Sequence, residues 1–163
     1  MQTIYIPDTR PLEGAVKIKV LHPSLQGLIP VGQKLALNLE TRTLSLLADG
    51  PQLIAVQKFS ASEMQMIVPI LEFYPHYCPY EVLLSHLTSK VVTPLSIDQC
   101  RQRLWEAQNN GTWQQELRPV RRAIASLRTK LYCFNLAISN VRERGCSLTS
   151  VSLANYCHLE VLS

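Results

Sequence analysis

Five apolar residues, Leu117, Val120, Ile124, Leu127 and Leu131, recur at spacings of 3, 4, 3 and 4. Only the 3.6-residue period of an α-helix gathers such a set on one stripe, so residues 117–131 predict an amphipathic helix that must bury that stripe against other elements. Pro119 falls in its first turn, where a missing N–H costs little. The opposite face carries Arg118, Arg122, Ala125, Ser126 and Thr129, with Arg121 and Arg128 at its edge. Residues 137–141 and 146–150 follow as two strands around Arg142-Glu143-Arg144-Gly145, and Gly145 is the residue expected to take a positive φ.

Charge follows the same segment. Between Arg101 and Arg144 there are nine Lys or Arg against three acids, a local excess of +6, whereas the rest of the chain holds seven basic and nine acidic residues. An even spread of the net +4 would imply nothing, but a cationic region on a slightly acidic body is the footprint expected for a polyanionic partner.

A chain of 163 residues, 47% hydrophobic and 17% charged, can bury a real core, and its composition excludes a disordered tail. The longest run without a polar side chain is residues 66–71, far below the ~20 residues of a membrane helix. Residues 1–10 lack the basic start and apolar stretch of a secretory signal. The five cysteines, Cys78, Cys100, Cys133, Cys146 and Cys157, are odd in number and contain no CxxC, which fits a reducing cytoplasm better than a disulfide framework.

The first third reads as strands. Residues 15–21 alternate Val16, Ile18 and Val20 with Lys17 and Lys19; residues 34–39 alternate Leu35, Leu37 and Leu39; residues 43–47 and 53–56 follow across polar turns. At Ser60-Ala61-Ser62-Glu63 the S-x-x-E form of a capping box opens a first helix, with Met64, Ile67, Val68, Ile70 and Leu71 inward and a kink or stop expected at Pro69. Pro79 opens a second helix over residues 80–87. Ser96-Ile97-Asp98-Gln99 is another capping signal, for a helix ended by Asn109-Asn110-Gly111. Trp105 and Trp113 read as packing residues. His76 with Cys78, and Cys157 with His158, lack a second ligand pair, so no metal or other cofactor is expected. The chain also has no Gly-rich phosphate loop, G-x-S-x-G or H-E-x-x-H, and no enzyme is expected.

The order of sheet, three helices and terminal hairpin resembles the OmpR/PhoB-type winged-helix DNA-binding domain, without its receiver domain. Three segments carry the resemblance: Phe59-Ser60-Ala61-Ser62-Glu63 at the first helix entry, residues 117–131 as recognition helix, and residues 138–145 as wing. It implies an α+β winged helix-turn-helix with an N-terminal antiparallel β-sheet, a three-helix core plus an inserted helix, and a C-terminal β-hairpin wing. Arg118 matches a phosphate-holding arginine at the recognition helix start, Arg128 a later arginine on that helix, and Arg142 the wing arginine that reaches toward the minor groove. Two departures stand out. Ala123, Ala125 and Ser126 occupy mid-helix positions where relatives carry polar or basic groups, and residues 88–116 form a longer connection than usual, in a place where the family contacts the transcription machinery. An alternative register, with residues 80–87 and 97–105 as first and second helices, leaves recognition helix and wing unchanged.

The expected organisation is an N-terminal extension with a strand over residues 1–33, a winged-helix domain over 34–150, and a tail over 151–163. The expected function is double-stranded DNA binding by a cytoplasmic bacterial transcription regulator or accessory factor, as monomer or homodimer and without membrane contact. Residues 117–131 would enter the major groove and residues 138–150 would meet the minor groove. Arg118, Arg121, Arg122, Ser126, Arg128, Thr129, Lys130, Arg142 and Arg144 are the candidate contacts; Ser126 and Thr129, as small hydroxyls, would discriminate bases weakly. The competing expectation is a protein-interaction module using the inserted helix 97–108 and the tail.

Overall fold

The computed structural model describes residues 18–21, 25, 27–50 and 52–151. The fold is α+β, with five α-helices and two small antiparallel sheets among these residues, and the chain divides into two compact units between Ala61 and Ser62.

The first unit is a four-stranded meander, β1 (Ile18–Leu21), β2 (Lys34–Asn38), β3 (Thr43–Ala48) and β4 (Gln52–Lys58), paired in sequence order. The first three residues of the expected strand 15–21 lie outside the described residues. Leu35 pairs with Leu46 and Leu37 with Leu44, and all four are buried, as the period-2 pattern requires. Leu39 breaks the expected alternation and is exposed. The reason lies one residue earlier, where the Asn38 side chain accepts from the Glu40 and Thr41 amides at 3.0 Å and ends the strand in a turn.

The second unit holds α1 (Ala61–Phe73), β5 (Cys78–Pro79), α2 (Tyr80–Thr88), α3 (Pro94–Asn110), α4 (Trp113–Glu116), α5 (Arg118–Leu131), a 3₁₀ turn (Tyr132–Phe134), β6 (Leu136–Val141) and β7 (Gly145–Ser150). Pro69 does not stop α1, which continues to Phe73. The inserted helix starts earlier than expected: its cap is Thr93, whose hydroxyl accepts from the Ser96 amide while the Ser96 hydroxyl accepts from the Thr93 amide, with Pro94 in the first turn. Gly111, in the left-handed region at φ 74, ends it as expected. All five stripe residues, Leu117 at the cap of α5 and the four on the helix, are buried, at about 1.5–3 kcal/mol each relative to exposure. They join Met66, Ile67 and Ile70 of α1, Leu83 and Leu84 of α2, and Leu136, Ile138 and Leu148 of the hairpin in the core. Trp105 departs from its expected packing role and is 60% exposed on α3.

β7 lies between β5 and β6, so the terminal hairpin is part of a three-stranded sheet. Gly145 does not take the expected positive φ; Glu143 does, at φ 57. Glycine is needed at 145 for a different reason. A Cβ there would lie 1.9 Å from the Cys78 carbonyl oxygen, so the approach of β5 leaves no room for one.

Candidate nucleic-acid interface

The nine candidate residues fall into three groups. Arg118 and Arg122 on α5, and Arg142 and Arg144 in the hairpin turn, are exposed, and their side chains form no ion pair or hydrogen bond among the described residues. Thr129 is exposed beside them.

Two arginines are held by neutral acceptors. Arg121 donates to the Gln114 side-chain oxygen of α4. Arg128 donates from Nε to the Ile138 carbonyl at 3.1 Å and from Nη2 to Asn140 Oδ1 at 2.8 Å, tying α5 to the hairpin. No carboxylate compensates either guanidinium in these contacts.

Ser126 and Lys130 do something the sequence did not announce. Glu63, on α1 and buried, accepts from the Ser126 hydroxyl and from Lys130 Nζ at 2.7 Å. A buried carboxylate needs such partners, since desolvation otherwise disfavours its charge. These two side chains therefore orient α5 on α1, and the Lys130 charge is compensated. Arg101 and Arg103, included in the local charge excess, are compensated as well: Arg101 pairs with Glu81 at 3.3 Å and with Asp98, and Arg103 with Glu116.

Between α5 and the hairpin the surface is hollow. One hollow of about 300 Å³ is lined by Tyr80, Val120, Arg121, Ile124, Arg128 and Cys146; a second of about 440 Å³ by Trp113, Gln114, Arg142 and Glu143; Asn140, Tyr80 and Arg121 line both. The rings of Tyr80 and Trp113 meet edge to face at 6.1 Å. Burial pushes the Tyr80 phenol above its ordinary pKa, with the Arg121 and Arg128 guanidiniums pulling the other way. The Cys146 thiol is likewise raised by burial, against the pull of Arg128. Cys78, opposite Cys146 across β5 and β7, is raised further by burial and by Cys146. The phenol and both thiols stay protonated at neutral pH and so add no negative charge of their own.

Sequence reading missed Tyr80, Trp113, Gln114 and Asn140. Among the described residues, no cluster of three or more His, Cys, Asp or Glu could hold a metal ion, and no helix is long and apolar enough to cross a membrane. No family model, curated protein or solved structure matches this chain.

Proposed function

We propose that this chain is a winged-helix protein of the OmpR/PhoB type that binds double-stranded DNA as a transcription regulator or accessory factor. In this reading α5 lies in the major groove and the turn between β6 and β7 reaches the neighbouring minor groove. The observation that carries it is the set of uncompensated arginines, Arg118 and Arg122 on α5 and Arg142 and Arg144 in the hairpin turn, of which Arg142 lines a hollow beside α5. Guanidinium groups pair with phosphate oxygens, and each neutralised phosphate releases counterions. Ala125 and Thr129 on the outward face offer little base readout, so affinity should depend strongly on salt and weakly on sequence.

The test is fluorescence anisotropy on a mixed-sequence duplex at several salt concentrations. A log-log slope of about 0.9 per contacted phosphate supports the reading. A flat response without affinity at low salt defeats it.

A second reading has its own observation. Leu95 and Trp105 of α3 are 67% and 60% exposed, and Val91 just before it is 71% exposed, which suits a protein-interaction surface. Partner capture that survives loss of the arginines and fails in a Leu95→Gln, Trp105→Gln variant would favour that reading.

A further inference from the structure

The two hollows beside α5 and the hairpin share Tyr80, Arg121 and Asn140, and taken together as one depression they are chemically one-sided. Arg128 Nη2 and the Cys146 thiol both donate to Asn140 Oδ1, at 2.8 and 3.7 Å, so the acceptor end of that amide is engaged and its NH₂ end remains as donor. Arg121 uses one terminal nitrogen on Gln114 and keeps further N–H groups, while Arg142 has all its donors available among the described residues. Against these donors stands Glu143, the single carboxylate among the lining residues. Val120 and Ile124 add apolar carbon to the wall, and the paired rings of Tyr80 and Trp113 close another side.

A ligand complementary to this lining is anionic, rich in acceptors and attached to a compact apolar group. We infer that the hollow is a phosphate seat, in which Arg121, Arg142 and the Asn140 amide hold the oxygens of one phosphate while Tyr80 and Trp113 contact the attached sugar. This rests on the DNA-binding reading and specifies it. The seated group is a backbone phosphate of the strand that passes from α5 to the hairpin, and Arg118 and Arg122 hold others outside. A free phosphate compound presents the same chemistry, and the experiment separates the two sources.

The chain has two tryptophans, so Trp105→Phe leaves Trp113 as the sole indole reporter beside the seat. In that background, Trp113 fluorescence is followed during titration with inorganic pyrophosphate and, separately, with a mixed-sequence duplex. Asn140→Asp keeps an acceptor for Arg128 and replaces the donor by a carboxylate, so the fold contact survives while the seat turns repulsive. The expected result is a saturable Trp113 response to both ligands, weakened about tenfold or more in Asn140→Asp and in Arg142→Gln and strengthened in Glu143→Gln, with unfolding midpoints of the variants held within a few degrees. If duplex binds through Arg118 and Arg122 with no Trp113 response and no effect of Asn140→Asp or Arg142→Gln, the seat is overturned and the DNA reading stands. Pyrophosphate binding without duplex affinity keeps the seat, assigns it to a free phosphate compound and overturns the backbone-phosphate source together with the DNA reading. No Trp113 response to either ligand, together with no duplex affinity by anisotropy at low salt, overturns both.

Discussion

Arg101 and Arg103 on α3 and Arg118 and Arg122 on α5 are the same residue type on helices separated only by the short α4, yet they stand in opposite electrostatic situations. Each arginine of α3 has a carboxylate within ion-pair reach, from Glu81, Asp98 or Glu116. The arginines of α5 and of the hairpin turn have none among the described residues. A count of basic residues along the sequence treats the two sets alike. Only the set without internal partners can offer its charge to another molecule, so the effective footprint is smaller than the sequence excess and displaced toward α5 and the hairpin.

The widest separation between the two sets should come from paired substitutions. Arg118→Ala with Arg122→Ala should weaken duplex binding about 100-fold at fixed salt and lower the salt slope by about 2. Anisotropy checks this, and an unchanged slope breaks the comparison. Lys130→Met tests a residue that sequence reading put in the DNA-contacting set and its geometry puts with the compensated one. It leaves the Glu63 carboxylate buried with one fewer partner, and since the ammonium is about a third exposed the expected stability loss is about 1–2 kcal/mol by urea denaturation, with duplex affinity changed less.

An alkaline series probes the inner wall beside the uncompensated arginines. The Cys146 and Cys78 pKa values are raised in the fold, so the native state holds its thiol protons where the unfolded chain has released them. Stability is then fully present below the unfolded value and falls as pH rises above about 8.5, by up to about 1.4 kcal/mol per pH unit for each thiol. Cys146→Ser should flatten that decline, and a pH-independent wild type would contradict it. The smallest effect belongs to the paired set: Arg101→Ala with Arg103→Ala should change affinity less than about twofold and stability by less than about 1 kcal/mol, as exposed ion pairs do. A loss as large as that of the α5 pair would erase the distinction.

Local pattern made much of the fold legible. The stripe from Leu117 to Leu131, the alternation of Leu35 and Leu37, and Gly111 after the inserted helix were readable because period and cap chemistry act over a few residues. The Thr93 cap escaped because Ser96 offered an equally formal signal, and Pro94 with the mutual Thr93–Ser96 bonds decides between them only in three dimensions. The candidate site was half legible. Uncompensated arginines could be named, but Glu63 meets Ser126 and Lys130 across more than sixty residues of chain, and the hollow draws Tyr80, Trp113 and Asn140 from three separate elements. No window of sequence contains such a meeting.

The close approach at Gly145 also governs how the hairpin can move. Its root is clamped on one side by the β5 backbone, 1.9 Å from where a Cβ would sit, and the Arg144 carbonyl accepts from the Tyr80 amide at the start of α2, at 2.9 Å. The hairpin is therefore a cantilever with a fixed base, and its chain reverses in the tip, where Glu143 takes the left-handed conformation. The reach of Arg142 and Arg144 is set by the length and bend of that tip, independently of the sheet below it. Lengthening the tip by a residue or two would shift both guanidiniums along a bound strand while leaving the packed unit as it is.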